Sequence, residues 1–428
     1  MTLDLSDDGL LSAAAEQPWR SPEGYWPRLT EATAHLSAPV VAICVEALAH
    51  NAHDLLRRAK GKPVRVASKS IRVRGVLDSV LALPGYRGVL AYTLAEALWL
   101  SETIDDVVVA YPSADRAALA ALAADERAAG RIAVMIDSVD QLELIDRVAP
   151  PAKRGTIRVC LDFDASWNTR LLGSIGALRS PVHEPAQLRR LAERVQQRRG
   201  FELVGVMSYE AQIAGVGDRP QGRPAQGALM RAVQRRSAAE LAERRAEAIA
   251  GVREIAQLEF VNGGGTGSIE RTAAEDAVTE IAAGSGLFGP HLFDNYRSFS
   301  PAPAAAFALD VVRRPNAETA TLLGGGWIAS GVAGEDRLPR PVWPAGLAYS
   351  SREGTGEVQT PVTGKGARGL SVGDRVWLRH TKSGEPMEHA NEAVPVRVGQ
   401  NRPHGSARGR SSALEAMATY RGEGKCFL

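Results

Sequence analysis

Residues 258–270, LEFVNGGGTGSIE, are the most informative segment for the fold of this chain. A short apolar run leads into three consecutive glycines, and the hydroxyl side chains of Thr266 and Ser268 follow. Glycine lets a backbone approach a ligand closely, and successive N–H groups can bind an anion. A second such stretch, IAAGSGLFG at 281–289, carries Gly284 and Ser285. Each stretch alone is typical of a tight turn, whereas the pair favours a phosphate site.

Outward from these loops, β-branched runs alternate with stretches of helical spacing between about residues 40 and 290, which is typical of parallel βαβ units. The predicted strands are 40–45, 64–67, 88–91, 106–110, 132–136, 156–162, 203–207, 258–262 and 279–281. The predicted helices are 46–59, 116–129, 139–148, 185–198 and 225–255.

Nine strands are predicted, whereas a closed barrel of this kind has eight, so we place the first strand, 40–45, outside the barrel. The two glycine loops then follow the seventh and eighth barrel strands, where such barrels often bind phosphate. This favours an α/β fold with a (β/α)8 TIM-type barrel over a doubly wound open sheet.

After about residue 300 the pattern changes to short strands separated by glycine turns. Examples are ATLLGGGWIASG, GEVQTPV, VGDRVWLRH and NEAVPVRV. We predict three regions: residues 1–38 as an extension packing on the β domain, 39–300 as the barrel, and 301–428 as a mainly β C-terminal domain.

The composition excludes several classes of protein. A formal net charge of +2 gives no case for a nucleic acid or an anionic membrane as partner. The three cysteines fit neither a zinc motif nor a disulfide set, and the N-terminus does not resemble a signal peptide. No apolar stretch approaches the length of a membrane span. We therefore expect a protein of the reducing cytoplasm.

Lys69, in RVASKSIRV, comes just after the predicted strand 64–67. The carboxyl ends of barrel strands face the active site, where a desolvated lysine can form a Schiff base. A lone lysine is more often a solvated surface residue. A lysine and a phosphate site together suggest pyridoxal phosphate; on these residues alone, a sugar phosphate or another phosphorylated substrate stays open.

The chain also resembles the fold-type III pyridoxal-phosphate enzymes, which have an alanine-racemase-like N-terminal barrel. Within them it resembles the D-threonine aldolase and D-serine dehydratase branch, including the amino acid deaminase/aldolase proteins. The matching segments are PVVAICVEALAHNAHDLL, RVASKSIRV, VCLDFDASWNTRLLG, VGVMSYEAQIAG, EFVNGGGTGS, GSGLFGPHLFDNY and GDRVWLRH.

The resemblance implies a role for each matching residue. Lys69 would form the Schiff base, Arg170 would lie near the phenolic oxygen of the cofactor, and Tyr209 would wall the cofactor or only pack in the core. The residues implied to hold the phosphate are Gly264, Gly265, Thr266, Gly284 and Ser285.

The sequence departs from the family pattern in two places. Ala282 stands where alanine racemases carry an arginine for the pyridine nitrogen, which leaves a protonated ring open. The branch resembled binds a divalent metal through a His-x-Asp or His-x-Cys pair, but here Lys382 follows His380. His380 then binds metal with a nearby carboxylate, or the Lys382 ammonium replaces the metal, or His380 is an ordinary strand-end residue.

The resemblance implies a lyase acting on D-configured β-hydroxy amino acids, by retro-aldol cleavage or by dehydration and deamination, with Lys69, His380 and Arg170 as catalytic residues. It also implies a homodimer. The alternatives are an amino acid racemase, which needs a second base such as Tyr349, and a non-catalytic pyridoxal-phosphate-binding protein. The tail TYRGEGKCFL either is a disordered basic end or brings Tyr420, Arg421 and Lys425 to an active site.

Overall fold

The computed structural model describes residues 2–170, 173–399 and 411–428. Its strands, in chain order, are β1 (Val40–Cys44), β2 (Val64–Ala67), β3 (Tyr86–Ala91), β4 (Val107–Val109), β5 (Ile132–Ile136), β6 (Ile157–Asp162), β7 (Trp167–Thr169), β8 (Gly173–Ile175), β9 (Phe201–Ser208), β10 (Phe260–Gly263), β11 (Glu280–Ala283), β12 (Ala305–Asn316), β13 (Thr319–Leu323), β14 (Arg340–Trp343), β15 (Ala348–Tyr349), β16 (Gln359–Thr363), β17 (Arg375–Arg379), β18 (Glu392–Arg397), β19 (Ser412–Ala413) and β20 (Met417–Ala418).

The α-helices are α1 (Asp8–Ala15), α2 (Pro22–Ala32), α3 (Val45–Ala59), α4 (Arg74–Leu81), α5 (Leu94–Leu100), α6 (Arg116–Ala124), α7 (Glu126–Arg131), α8 (Val139–Val148), α9 (Pro185–Gln196), α10 (Ala211–Ala214), α11 (Pro224–Arg253), α12 (Ile269–Thr272) and α13 (Ser285–Phe288). Short 3-10 turns cover Pro18–Arg20, Ser68–Ser70, Pro151–Lys153, His291–Asn295, Glu335–Arg337, Lys365–Gly369 and Glu385–Glu388.

Eight parallel strands close into a barrel in the order β10, β11, β2, β3, β4, β5, β6, β9. The predicted TIM-type barrel is therefore confirmed. In the register, Gly263 pairs with Ile281 and Ala283 pairs with Val66, so β10, β11 and β2 are neighbours. Their carboxyl ends lie side by side at one end of the barrel. Buried side chains such as Met135, Cys160 and Phe260 form a core cluster, as the β-branched and apolar strand pattern requires.

The first strand, β1, lies outside the barrel, as predicted. It pairs antiparallel with β12 and parallel with β18, within a sheet of ten strands. All five of its residues are buried. A strand buried on both faces reads as a continuous apolar run, which explains why VVAIC resembles a barrel strand in sequence.

The chain divides into two compact units, and each takes up separate segments of the sequence. We call the first the sheet unit; it comprises residues 1–54, 69–83 and 284–426. The second, the barrel unit, comprises residues 55–68, 84–283 and 427–428. The boundaries at residues 39 and 300 stay predictions.

In the sheet unit, the N-terminal helices contact the β-rich part. The fully buried Trp377 of β17 lies 6.1 Å from the ring of Trp26, and its indole nitrogen donates to Thr30 at 2.9 Å. The Arg375 guanidinium donates to the Leu36 carbonyl at 2.8 Å. Among the described residues after 300, the helical segments are 3-10 turns, in agreement with the predicted β-rich character.

In the barrel unit, a buried arginine joins two carboxylates within the wall of the barrel. Arg65 of β2, whose side chain is 1% exposed, donates to Glu280 of β11 at 2.7 Å and to Asp106 at 2.7 Å. The charges of Glu280 and Asp106 outweigh desolvation and raise the pKa of Arg65 further. This triad bonds the strand that precedes Lys69 to its neighbour β11.

Most predicted element ends differ from the structure by no more than two residues. The single helix predicted at 116–129 is wrong, because the chain forms α6 and α7 instead. Asp125 between them has an extended backbone, and its carboxylate accepts from the Ala128 N–H at 3.0 Å. Aspartate is a favoured N-cap, so it starts a new helix here. None of the helices of residues 2–170, 173–399 and 411–428 is long and apolar enough to cross a membrane.

Candidate active site

Lys69 lies in the 3-10 turn Ser68–Ser70, and one residue separates it from the end of β2. Its side chain is exposed, while Ser68 and Ser70 on either side are buried. The barrel pattern therefore puts a primary amine at the carboxyl end of a barrel strand, as predicted from RVASKSIRV.

The backbone of Lys69 is held by residues of the sheet unit. Its carbonyl oxygen accepts a hydrogen bond from Arg72 Nε at 3.1 Å. The Arg72 guanidinium also pairs with the Glu388 carboxylate at 2.7 Å. Gly384 packs so tightly that an added Cβ would lie 2.1 Å from the Lys69 oxygen. The segment after His380 and the segment of Lys69 are thus in direct contact.

Gly284 directly follows β11, and Ser285 opens the short helix α13. Gly284 is buried and Ser285 half-buried. The Ser285 carbonyl oxygen accepts from the Ser383 hydroxyl at 2.8 Å, within the sheet unit. The loop after β11 therefore also contacts the segment after His380.

In the barrel unit, the loop after β10 carries Gly264, Gly265 and Thr266. Gly264 has a φ of +86°, a conformation that favours glycine. Its N–H donates to Glu210 at 3.2 Å, and the Gly265 N–H donates to the Ser268 hydroxyl at 3.1 Å. The Thr266 carbonyl accepts from Arg58 at 2.6 Å. The loop is thus held in one conformation by side chains beneath it.

Tyr209 directly follows β9 and is half-buried. A Cβ on Gly265 would lie 3.0 Å from Cε2 of its ring, so the tyrosine and the glycine loop are in contact. Burial, together with the charge of Glu210, raises the pKa of Tyr209 to about 12. The phenol therefore stays protonated at neutral pH, so Tyr209 offers an uncharged hydroxyl group that can form hydrogen bonds.

Arg170 directly follows β7, at the tip of the two-stranded hairpin β7–β8, and is exposed. Asp162, the last residue of β6, is a half-buried carboxylate of the barrel unit that interacts with Asp137 and Asp164. Burial and the charges of Asp137 and Asp164 raise the pKa of Asp162 to about 7. Sequence reasoning missed this carboxylate, although its place at the end of a barrel strand was a usable signal.

His380 follows β17 and is only 3% exposed. Burial, with the charges of Arg379 and His291, lowers the pKa of His380 to about 3. Its Nε2 atom is buried and makes no hydrogen bond within the described part of the chain. The imidazole is therefore neutral at physiological pH.

Lys382 Nζ donates to the Ser330 hydroxyl at 3.0 Å, and this hydroxyl in turn donates to Glu385. Glu388 pairs with Arg72, and the His389 ring stacks on Trp327 at 5.0 Å. The polar groups that follow His380 thus have partners of their own. Tyr349 donates to the Pro339 carbonyl at 2.6 Å, and burial raises its pKa.

The C-terminal tail forms defined contacts in both units. In the sheet unit, Tyr420 is buried and its N–H donates to the Arg72 carbonyl at 2.9 Å, whereas Arg421 is exposed and Lys425 half-buried. In the barrel unit, the Phe427 ring lies 5.5 Å from Trp99. The tail therefore bonds to the backbone of Arg72, whose side chain donates to the Lys69 carbonyl.

The model of the family described as "Alanine racemase, N-terminal domain" matches residues 43–291 of the 428. This chain belongs to the alanine racemase N-terminal domain family. Enzymes with this domain are fold-type III pyridoxal-phosphate enzymes, so membership of the family implies pyridoxal phosphate as cofactor. A search of curated proteins found no match to the sequence.

Several solved structures share the fold of this family member. The D-threonine aldolase from Filomicrobium marinum is 21% identical, with a TM-score of 0.72 over 91% of this chain and 97% of that one. The D-threo-3-hydroxyaspartate dehydratase from Delftia sp. HT23 is 18% identical, with a TM-score of 0.64 over 90% and 97%. The alanine racemase from E. faecalis is 15% identical, with a TM-score of 0.55 over 80% and 88%.

The donor chemistry of this family member fits pyridoxal phosphate. The sheet unit offers an exposed primary amine at Lys69 and the loop of Gly284 and Ser285. The barrel unit offers a glycine loop that packs against the Tyr209 ring. A Cβ on Gly265 would occupy the space beside this ring, which the glycine leaves open. Ala282 is buried in the barrel core cluster and offers no polar group.

The residues do not fit the divalent metal of the aldolase and dehydratase branch. Within residues 2–170, 173–399 and 411–428, no group of three or more His, Cys, Asp or Glu side chains is arranged to hold a metal ion. The side chain two residues after His380 is an ammonium, which is not a metal ligand in its charged form. No metal-dependent step is therefore assigned to this chain.

Proposed function

We propose that this chain is a pyridoxal-phosphate-dependent lyase that acts on D-configured β-hydroxy amino acids. The reaction is retro-aldol cleavage to glycine and an aldehyde, or dehydration and deamination to a keto acid and ammonia. The observation that carries the proposal is Lys69, an exposed amine just past β2 whose carbonyl accepts from Arg72 and packs against Gly384. The substrate class is suggested by the aldolase and dehydratase that share the fold.

When bound, pyridoxal phosphate supplies an electron sink for negative charge that develops at the substrate Cα. Lys69 would hold the cofactor covalently and, once displaced by the substrate amine, would exchange a proton at Cα. In the barrel unit, Gly264 and Gly265 would let the phosphate approach the backbone closely, and Thr266 would donate to it, because the N–H groups of the two glycines already donate to Glu210 and Ser268. In the sheet unit, Gly284 and Ser285 would supply backbone and hydroxyl donors. Tyr209 would form the wall of the site, and Arg170 would reach the phenolic oxygen of the cofactor.

His380 is proposed to interact with the β-hydroxyl of the substrate. Its neutral ring has one buried nitrogen, Nε2, that makes no hydrogen bond within the described residues. In the tautomer that leaves Nε2 unprotonated, this nitrogen can accept a hydrogen bond and so orient a hydroxyl group. With a pKa of about 3, it holds a proton poorly at neutral pH, so a second group would have to carry that proton away.

The test is a spectrum of the purified protein, followed by titration with D-threonine and D-serine and identification of the products. We expect a visible absorbance band that borohydride removes, with the label on the Lys69 peptide. Glycine and acetaldehyde identify cleavage, whereas a keto acid and ammonia identify dehydration. Absence of the band, or a label on another lysine, would refute the proposal.

Racemase activity is the alternative that the same experiment detects, through exchange of the Cα proton with inversion. Tyr349 does not support it, because its hydroxyl donates to the Pro339 carbonyl and its pKa is raised. We also propose a homodimer, as the family resemblance implies, and a cytoplasmic location, as the cysteine content and the N-terminal sequence indicate. Light scattering of the purified protein tests the dimer, and a monomeric mass would refute it.

A further inference from the structure

Glu210 is a buried carboxylate in the barrel unit, directly after Tyr209 and before α10. Its side chain is 2% exposed. It accepts four hydrogen bonds: from the Gly264 N–H at 3.2 Å, from Arg245 at 3.0 Å, from the Ser268 hydroxyl at 2.8 Å and from the Thr272 hydroxyl. Three of these donors belong to the loop after β10 and to the helix α12 that follows it.

Glu210 also acts on the loop through Ser268. Because the Ser268 hydroxyl donates to Glu210, its oxygen is oriented to accept the Gly265 N–H at 3.1 Å. One carboxylate therefore fixes the N–H directions of two successive glycines. It also holds the left-handed conformation of Gly264, whose φ is +86°.

A carboxylate beside an anion site would repel the anion unless its charge were balanced. Arg245 of α11 is fully buried and bridges Glu210 and Glu275, the latter at 2.7 Å. It also donates to the Ser208 carbonyl, the end of β9. The guanidinium compensates the charge of Glu210, so the carboxylate can order the loop without opposing a phosphate on its other side.

We propose that Glu210 is a positioning residue for the phosphate of pyridoxal phosphate. It sets the conformation of residues 264–268 before the cofactor arrives, which lowers the entropic cost of binding an anion there. The inference rests on the proposed function, since it needs pyridoxal phosphate as the ligand. It predicts that a change at Glu210 weakens the binding of the phosphate group and leaves the reaction of the aldehyde with Lys69 unaffected.

The experiment compares pyridoxal phosphate with pyridoxal, which lacks the phosphate. Protein freed of cofactor is titrated with each compound, and Schiff-base formation is followed by absorbance. We expect Glu210→Gln to weaken the affinity for pyridoxal phosphate by about tenfold or more, because an amide cannot accept all four donors. The affinity for pyridoxal should stay within about twofold of the original.

Glu275→Gln is the matched control, since Glu275 pairs with the same arginine through Nη1, whereas Glu210 pairs with it through Nη2. It should leave both affinities within about twofold. If Glu210→Gln binds pyridoxal phosphate as tightly as the unchanged protein, or loses both ligands equally, the inference is wrong. If Glu210→Gln does not fold, Ser268→Ala removes the link to Gly265 and keeps the Glu210–Arg245 pair, and the same selective loss is required.

The two proposals fail in different ways. If the unchanged protein forms no Schiff base with either compound, the proposed function is refuted. If it forms a Schiff base but binds the two compounds equally, the phosphate site and the role of Glu210 are refuted. If the unchanged protein prefers the phosphorylated compound and Glu210→Gln keeps that preference, only the role of Glu210 is refuted.

Discussion

Arg72 and Glu388 form an ion pair at 2.7 Å, although they are 316 positions apart in the sequence. The Arg72 side chain is 8% exposed, and its Nε atom donates to the carbonyl of Lys69. Arg72 itself has a φ of +53°, which is uncommon for a residue with a side chain. The ion pair therefore stabilises a backbone turn that fixes the position of the Lys69 main chain, from which the amine extends.

Glu388→Gln should slow Schiff-base formation with added pyridoxal phosphate by about tenfold, because a loosened turn misplaces the Lys69 amine. The loss of stability should be only about 1 kcal/mol, since Glu388 is partly exposed. Stopped-flow absorbance gives the rate. Glu423→Gln is the control, as its partner Arg74 lies 3.8 Å away in the same unit, and it should leave the rate unchanged. Equal rates in both variants would contradict this role of Glu388.

Lys69→Ala should abolish the visible absorbance band and reduce turnover of D-threonine by at least about a thousandfold, since no other amine would hold the cofactor. Absorbance after cofactor addition and product analysis measure the two effects. Lys60→Ala, at another exposed lysine, should retain both. A band of full intensity in Lys69→Ala would mean that a different lysine binds the cofactor.

Arg65→Met should destabilise the protein by about 3–5 kcal/mol, because it leaves Glu280 and Asp106 without their buried partner. Denaturant unfolding followed by circular dichroism measures the loss. Arg87 also pairs with Asp106, at 3.3 Å, but its side chain is 54% exposed. Arg87→Met should therefore cost no more than about 1 kcal/mol. Equal losses in the two variants would show that burial does not decide the strength of this network.

Asp162→Asn should make the protein more stable at about pH 8 and leave its stability unchanged at about pH 4. The folded-state pKa of Asp162 is about 7, above the ordinary 3.8, so the folded state binds more protons than the unfolded state between these values. Stability then falls as pH rises through this window, by a few kcal/mol at most. Asparagine removes that loss. Melting temperatures across this pH range measure it, and Asp140→Asn, at an exposed site, should show no such trend.

The sequence was sufficient for the features that depend on neighbouring residues. Apolar strand runs such as 64–67 and 132–136 coincide with β2 and β5, and the glycine loops follow the strands as expected. Lys69 could be placed after a barrel strand because only the end of that strand had to be located. Asp125 was a local signal for the start of a second helix, but the residues on both sides of it favour a helix, so one continuous helix was predicted.

The remaining features depend on residues that are distant in the sequence. The pair of Arg72 and Glu388 and the contact of Glu210 with Gly264 join segments that no periodicity relates. A charged residue in a polar stretch normally predicts an exposed side chain, so the burial of Glu210 and Arg245 could not be foreseen. These contacts follow from chain topology, which a single sequence does not encode in its local pattern.

The pairing of β1 has a practical consequence for producing parts of this protein. Both of its neighbours, β12 and β18, come after residue 300. A gene fragment that ends near that residue would still encode VVAIC, but both edges of this apolar strand would lack a partner. Such a fragment is expected to aggregate. Neither half of the molecule can therefore be obtained cleanly with a single cut of the chain.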